Sequence, residues 1–198
     1  MTMPTTAANP REHFRELRRS LDSDTQSRHA EQLAQTLVDH PVIANASRIA
    51  CYLPYDGEID PSAIIEACWR RQQSVFLPVI APRENSLDFA AYTPDTPLVP
   101  NRFGIDEPDC TVMDRVDAAQ MDVILLPVVA FDDEGNRMGM GGGFYDRSLA
   151  FTRDLEPGEP PALIGLAHEV QRSEGLVSKN WDIPLGAIAT ETELRLFD

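Results

Sequence analysis

A glycine-rich segment flanked by arginines is the part of the sequence best suited to chemistry. Four of the five residues 139–143 are glycine, and they follow a strongly apolar stretch. Without Cβ atoms, the backbone N–H groups of such a loop can converge on one point and form a cradle for an anion, usually a phosphate. Arg137 and Arg147 add guanidinium groups that suit phosphate oxygens. Neither GxGxxG nor a Walker motif is present, and a glycine-rich turn without a ligand is the alternative.

Asp146 follows this loop by three residues and has two interpretations. A helix is predicted from Gly143 to Thr152, and an acid in its first turn is stabilised by the helix dipole. The other interpretation is a Mg²⁺ ligand, because Mg²⁺ beside phosphates is bound by one or two carboxylates. The acidic run 132–134 is interpreted as a solvated turn.

A second polar segment, Tyr52-Leu-Pro-Tyr-Asp-Gly-Glu58-Ile-Asp60, also follows a predicted strand. Glu58 has apolar and aromatic neighbours, which suits an acceptor for ring N–H groups in an apolar pocket. Alternatively, Glu58 or Asp60 caps the helix predicted to begin at Pro61, and Asp60 fits the cap better.

The first predicted helix carries four arginines, Arg11, Arg15, Arg18 and Arg19, whose spacing places charge on one face. Either this face is a solvated basic stripe, or the helix folds over the site and contacts phosphate or carboxylate groups.

These segments must be positioned by alternating strands and helices. Near-continuously apolar strands and amphipathic helices predict one three-layer α/β domain over 10–198, with a mostly parallel sheet covered on both faces. Residues 1–9 are predicted to be a disordered lead-in. The predicted strands are 48–53, 74–80, 87–92, 122–127 and 162–167. The predicted helices are 10–21, 22–39, one from 61, and 143–152, with 93–121 and 153–161 as loops or lids.

Composition excludes several classes of protein. The chain has 198 residues and a net charge of −15, which argues against a generic nucleic-acid binder. Its longest strongly apolar stretch, 123–131, is too short to span a bilayer. Three cysteines without a CxxC motif predict free thiols in a reducing cytosol, and so a cytoplasmic protein. The net charge and the short apolar stretch predict that it has no nucleic-acid or membrane partner.

The pattern Arg137-x-Gly-x-Gly-x-Gly-Phe-Tyr-Asp146, with Phe131-Asp-x-x-Gly135 before it, resembles the 5-formyltetrahydrofolate cyclo-ligase (methenyltetrahydrofolate synthetase) family. Collinear matches extend the resemblance over roughly residues 11–190: Tyr52-Leu-Pro, Glu58-Ile-Asp60, Leu77-Pro78, Gly104-Ile-x-Glu107-Pro108, Gly165-Leu-Ala167 and Trp181-Asp-Ile-Pro184.

The resemblance implies a fold of the ribose-phosphate isomerase and CoA-transferase kind that uses ATP and Mg²⁺. It implies catalytic roles for Arg137 and Tyr145, a folate pocket at Leu53, Glu58, Met140 and Phe144, and metal ligands at Asp146 and Asp182. It implies ATP contacts from Arg11, Arg15, Arg137, Gly139, Gly141, Gly142, Gly143, Phe144 and Tyr145. The family often has a Lys and an Arg four residues apart in its first helix. Here Ala7 and Arg11 take those places, and Arg15 is the available substitute for the Lys.

The implied reaction is ATP-driven ring closure of 5-formyltetrahydrofolate, with or without a polyglutamate tail, to 5,10-methenyltetrahydrofolate, by a monomer or weak homodimer. It proceeds through phosphorylation of the formyl oxygen and releases ADP and phosphate. One alternative is a non-catalytic folate- or nucleotide-binding regulator on the same scaffold. Another is a sugar-phosphate isomerase or CoA-transferase, suggested by fold alone.

Overall fold

A computed structural model of the protein describes residues 9–82, 85–156 and 158–197. The predicted lead-in therefore lies outside the described residues except for Asn9. The side chain of Asn9 accepts a hydrogen bond from the Arg11 N–H at 3.2 Å and caps the first helix.

Five α-helices are described: α1 (Pro10–Arg19), α2 (Ser23–Leu37), α3 (Pro41–Ala44), α4 (Ser62–Arg70) and α5 (Phe144–Ser148). Their starts follow local chemistry. The Asp22 carboxylate accepts the Thr25 N–H at 2.9 Å and caps α2, while proline occupies the first turn of both α1 and α3.

The described strands are β1 (Arg48–Ala50), β2 (Ser74–Ile80), β3 (Leu87–Tyr92), β4 (Leu98–Pro100), β5 (Asp106–Pro108), β6 (Val123–Pro127), β7 (Ala130–Phe131), β8 (Arg137–Met138), β9 (Ala162–Leu166), β10 (Ala187–Ala189) and β11 (Leu194–Leu196). Seven of them form one sheet in the order β11-β10-β9-β6-β1-β2-β3. The pairs from β10 through β2 are parallel, and both edge strands are antiparallel. The predicted mostly parallel sheet is confirmed.

Alternate residues of β6 pack into the two halves of the core. Val123 and Leu125 face the cluster formed with α2, α3 and α4, whereas Ile124 and Leu126 face the opposite cluster. The second cluster contains Leu149, just beyond α5, and residues of irregular segments such as Ile183. The sheet is covered on both faces as predicted, with α2, α3 and α4 on one face.

Several predicted boundaries are wrong. The strand predicted over 48–53 ends at Ala50, and the helix predicted over 143–152 is the five-residue α5 followed by a 3₁₀ helix, Ala150–Asp154. The segment 93–121 contains the hairpin β4–β5 rather than only loops. β10 and β11 have three residues each, too few to show a periodic pattern in the sequence.

The parallel order decides where a site can form. β1, β6 and β9 are neighbours, so the segments that follow them, which include 51–60, 128–143 and 167–182, leave the sheet at the same edge. Ligands of open α/β sheets bind at this carboxyl edge.

Candidate active site

A cleft of about 1120 Å³ opens at the carboxyl edge of the sheet. It is lined by every residue to which the sequence assigned a site role: Arg11, Arg15, Leu53, Glu58, Arg137, Gly139, Met140, Gly141, Gly142, Gly143, Phe144, Tyr145, Asp146 and Asp182. Residues far apart in the chain thus share one cleft.

The hairpin β7–β8 presents the glycine loop to the cleft. Its turn is organised by Asp132, whose Oδ1 accepts the N–H groups of Glu134 and Asn136 at 3.0 Å each. The other oxygen, Oδ2, accepts the Leu176 N–H at 2.9 Å and so ties the turn to the segment after β9. Asp132 is only 2% exposed, so the prediction of a solvated turn is wrong at this residue.

Arg137, at the start of β8, forms an ion pair with Asp146 in α5. Its Nη2 lies 2.5 Å from Asp146 Oδ1, and its Nε donates to the carbonyl oxygen of Ile183 at 3.1 Å. Asp146 Oδ1 also accepts the Ile183 N–H at 3.2 Å. Asp146 Oδ2 accepts no hydrogen bond from the described part of the chain, which leaves one carboxylate oxygen for another partner.

The glycine loop needs its glycines for different reasons. Gly141 has φ +96° and Gly143, which precedes α5, has φ +66°; side chains rarely adopt such backbone conformations. A Cβ at Gly142 would lie 2.7 Å from the Phe144 ring, which covers that residue. Because α5 has only five residues, the predicted cradle rests on the N–H groups of the loop more than on a helix dipole.

Helix α1 contacts the cleft through its first two arginines. Arg11 Nε donates to the carbonyl oxygen of Gly139 at 2.7 Å, and Arg15 Nε donates to Asp56 Oδ2 at 2.9 Å. Of the two interpretations of the α1 arginines, the solvated basic stripe is wrong, because these side chains have protein partners.

The other two α1 arginines hold the helix on the loop after β1. Arg18, whose side chain has no exposed surface, donates to the carbonyl oxygen of Asp56 at 2.8 Å and to its carboxylate at 3.0 Å, and Arg19 pairs with the same carboxylate. Burial alone would raise the pKa of Asp56, but its three arginine partners lower it below the ordinary value.

Glu58 occupies an enclosed part of the cleft. Its side chain is 11% exposed, Oε2 accepts the Tyr55 N–H at 3.1 Å, and Oε1 lies 3.6 Å from Arg18 Nη2. Burial raises the pKa of Glu58 to about 7, although Arg18 lowers it in part. Neither acid is the N-cap of α4, because Pro61 takes that position. Asp60, one residue earlier, accepts the Ser62 N–H through Oδ1 at 2.8 Å.

Two tyrosines lie close to this carboxyl group. Burial, with the negative charge of Glu58 as a smaller cause, raises the pKa of the Tyr145 and Tyr52 hydroxyls. The Tyr52 hydroxyl donates to the carbonyl oxygen of Ile59 at 2.7 Å. Both phenols are therefore neutral and can serve as hydrogen-bond donors at neutral pH.

Asp182 lies in a turn at the rim of the cleft. Its Oδ2 accepts the Lys179 N–H at 2.8 Å. The next residue, Ile183, bonds to both members of the Arg137–Asp146 pair, so the segment Trp181-Asp-Ile-Pro184 belongs to the site.

The hairpin β4–β5 contributes a wall that the site prediction missed. Phe103 packs edge-on against Phe144, with ring centroids 5.8 Å apart, and Arg102 lies over both rings. Glu107 anchors the hairpin by accepting the Ile80 N–H of β2 at 3.2 Å. The motif Gly104-Ile-x-Glu107-Pro108 was the available signal, although it did not indicate an aromatic contact.

Within the described ranges, no helix is both long and apolar enough to cross a membrane.

Comparisons with known proteins point to one enzyme family. The profile of the 5-formyltetrahydrofolate cyclo-ligase family matches residues 5–191. The 5-formyltetrahydrofolate cyclo-ligase of Escherichia coli K12 is 39% identical over 182 residues, covering 91% of this chain and 98% of the relative. The enzyme of that name from Haemophilus influenzae is 37% identical over 178 residues, covering 88% and 92%.

A solved structure supports the same assignment. The NMR structure of Aquifex aeolicus 5,10-methenyltetrahydrofolate synthetase superposes with a TM-score of 0.80 at 29% identity, covering 94% of this chain and 90% of that chain. With the family profile matched over almost the whole length and the motif residues gathered in one cleft, the chain belongs to the 5-formyltetrahydrofolate cyclo-ligase family.

Proposed function

We propose that the protein uses ATP to close 5-formyltetrahydrofolate to 5,10-methenyltetrahydrofolate, with release of ADP and phosphate. The observation that carries the proposal is the meeting of two subsites in one cleft: the arginine-flanked glycine loop and the enclosed carboxyl group of Glu58. The first environment suits the phosphates of ATP and the second suits the uncharged ring of the folate, and the reaction requires the two ligands to lie side by side.

The chemistry requires activation of the formyl group, because a formamide carbon is a poor electrophile. The formyl oxygen attacks the γ-phosphorus of ATP and ADP leaves, so the oxygen becomes part of a phosphate leaving group. N10 then bonds to the activated carbon and loses its proton, the C–O bond breaks, and phosphate departs. This sequence needs no protein nucleophile, so the protein acts mainly by positioning and charge neutralisation.

Arg137 and the glycine loop would bind the phosphates of ATP. Arg137 is well placed because its side chain is 5% exposed and its Nε is fixed on the Ile183 carbonyl oxygen. Arg11, bonded to the carbonyl oxygen of Gly139, and Arg15 would contact the same nucleotide from α1. Charge developing on the transferred phosphoryl group would be stabilised by these groups without reorganisation.

Asp146, with Asp182 at the rim, would hold Mg²⁺. Carboxylate oxygens are the ligands that Mg²⁺ prefers, and Asp146 Oδ2 is available while Oδ1 keeps its bonds to Arg137 and Ile183. When bound, the ion neutralises phosphate charge and polarises the transferring group.

The folate would occupy the side of the cleft formed by Leu53, Glu58, Met140 and Phe144. Glu58 suits this role because an enclosed carboxyl group can accept from, or donate to, ring N–H and C=O groups. The Tyr145 hydroxyl interacts electrostatically with both Glu58 and Arg137, and this neutral hydroxyl would orient the reacting formyl group.

The same proposal includes finer properties. We infer one domain over 10–198, a cytoplasmic monomer or weak homodimer, and a substrate with or without a polyglutamate tail. Free thiols at Cys51 and Cys68, both buried, suit a reducing compartment.

The decisive experiment follows the absorbance of the methenyl product from 5-formyltetrahydrofolate with and without ATP and Mg²⁺. Product formation that requires both supports the proposal. Binding of folate and ATP without turnover would instead support the regulator, and neither binding nor turnover would contradict both.

A further inference from the structure

Three side chains that the proposed reaction does not use converge outside the cleft. His29 comes from α2, His168 follows β9, and Glu191 follows β10. His29 Nδ1 lies 2.9 Å from His168 Nδ1 and 3.3 Å from Glu191 Oε1. One ligand atom from each of the three side chains can be chosen so that all three lie within 4.8 Å of one another.

The cluster is enclosed and its members are held in place. His168 has no exposed surface, and the side chains of His29 and Glu191 are 13% and 9% exposed. Glu191 directs Oε2 to the backbone N–H of Glu169 at 3.0 Å, which fixes the carboxylate and leaves Oε1 toward the histidines. Such supporting bonds are typical of groups that orient metal ligands.

The three converging atoms are all hydrogen-bond acceptors when unprotonated, and there are too few protons between them for each to have its own hydrogen bond. One proton on His29 Nδ1 would have to be shared between His168 Nδ1 and Glu191 Oε1, because both lie within reach of the same nitrogen. A cation at their centre would instead accept a lone pair from each of the three atoms.

We propose that His29, His168 and Glu191 bind one divalent transition-metal ion, with Zn²⁺ as the best fit. Two imidazoles and a carboxylate form a ligand set that Zn²⁺ accepts with bonds of about 2.0–2.2 Å. Tetrahedral angles at that bond length separate ligand atoms by roughly 3.3 Å. The His29–Glu191 pair already has this separation, and the two rings need to part by a few tenths of an ångström.

Charge around the cluster permits this cation. Arg18 interacts electrostatically with His168, but the Arg18 charge is compensated by Asp56, 3.0 Å away, and by Glu58. Glu191 supplies a negative charge directly. The ion would join α2 to the ends of β9 and β10, so its expected effect is on stability, separate from the Mg²⁺ proposed at Asp146.

The test uses the full-length protein after chelation and dialysis, titrated with Zn²⁺ and, separately, with Co²⁺ as a spectroscopic probe. We expect one tight equivalent of Zn²⁺, visible d–d bands with Co²⁺, and a higher Tm with Zn²⁺. His29→Gln and Glu191→Gln should each weaken Zn²⁺ binding at least about tenfold and remove the Tm increase. These two variants are preferred to substitution of the fully buried His168.

Two controls make the result specific. His13→Gln changes an exposed histidine outside the cluster, and Asp146→Asn removes the carboxylate proposed for Mg²⁺; both should keep the tight Zn²⁺ equivalent. The proposal is overturned if wild type shows neither Zn²⁺ binding nor a Tm increase. It is equally overturned if both cluster variants bind Zn²⁺ like wild type. Either result would mean that His29, His168 and Glu191 form a buried hydrogen-bonded cluster without a metal.

Discussion

Arg137 and Asp146 form an ion pair in the candidate active site, with 2.5 Å between Nη2 and Oδ1. Each group thus compensates the charge of the other before any phosphate or metal arrives. Because both side chains are also hydrogen-bonded to the backbone of Ile183, the position of the pair is fixed. Binding of Mg²⁺ and ATP would add partners to this pair.

Asp146→Asn is expected to keep the fold and to impair use of Mg²⁺ and ATP. Asn can preserve the bond from Ile183, but it loses the charge that attracts the metal. Loss of a charge-assisted contact worth about 1.5–3 kcal/mol corresponds to roughly a ten- to hundredfold higher Mg²⁺ requirement, measured as initial rate against Mg²⁺ concentration. Asp154→Asn, at an exposed residue that does not line the cleft, is the control. An unchanged Mg²⁺ curve for Asp146→Asn would remove Asp146 from the metal site.

Gly141→Ala tests the glycine loop against a matched control, Gly158→Ala. Both glycines have positive φ, +96° and +88°, so a side chain costs each about 1–2 kcal/mol of backbone strain. Only at Gly141 would the Cβ meet Arg11, 3.4 Å from its Cζ, whereas nothing lies within 4 Å at Gly158. We expect similar losses of stability and a lower ATP affinity only for Gly141→Ala, measured by calorimetric titration. Equal ATP affinity in the two variants would argue against the cradle.

Glu58 is expected to make stability depend on pH between about 4.5 and 7. Its pKa is raised from 4.5 to about 7 in the folded protein, so the folded state holds the proton more tightly than the unfolded state. The resulting contribution is fully present below pH 4.5 and is lost as pH rises through 7, by roughly 3 kcal/mol.

Glu58→Gln should remove this dependence and raise the free energy of unfolding relative to wild type above pH 7, while weakening folate binding. Urea unfolding across this pH range, with wild type and variant compared at each pH, separates the contribution of Glu58 to the free energy of unfolding from the contributions of other carboxyl groups. Glu31→Gln, at an exposed position, should leave the wild-type profile intact. Parallel pH profiles for wild type and Glu58→Gln would contradict the assignment.

Asp56→Asn is expected to raise the KM for ATP several-fold with little change in kcat. Asp56 has φ +55°, which Asn tolerates, so the backbone should persist. The lost charge leaves Arg15 with Glu12 of the same helix and buried Arg18 with Glu58 at 3.6 Å as their remaining acidic partners, so α1 is held less firmly on the loop after β1. Asp60→Asn, which changes the acceptor of the Ser62 N–H in the same segment, should leave the ATP KM unchanged. An unaltered KM in Asp56→Asn would show that α1 does not position nucleotide contacts.

Much of the scaffold could be predicted because its signals are local. The bounds of β2 and β3 agree with the predicted strands, since apolar and alternating patterns depend only on neighbouring residues. The glycine loop could be predicted because closely spaced glycines indicate a backbone that adopts conformations other residues rarely adopt, such as the positive φ of Gly141 and Gly143.

The remaining features depend on tertiary contacts. Nothing local distinguishes Arg18, which is fully buried, from Arg19, which is exposed, because their partner lies in the loop after β1. From the sequence, Asp132 is indistinguishable from the other residues of an acidic turn. Its burial depends on a tertiary contact, the hydrogen bond that it accepts from the Leu176 N–H. The cluster at His29 joins residues from three separate segments of the chain, and no sequence spacing reveals it.

With the folate and ATP subsites assigned as proposed, the contact between Asp56 and α1 would make the two binding events interdependent. Asp56 belongs to the segment that carries Leu53 and Glu58, and it holds the helix that carries Arg11 and Arg15. A folate that ordered this segment would also order α1, so the nucleotide that follows would lose less conformational freedom on binding. Linkage requires the effect to be reciprocal: bound ATP must increase folate affinity by the same factor. Positive cooperativity between two chemically unlike ligands is thus the expected consequence of one carboxylate shared by three arginines.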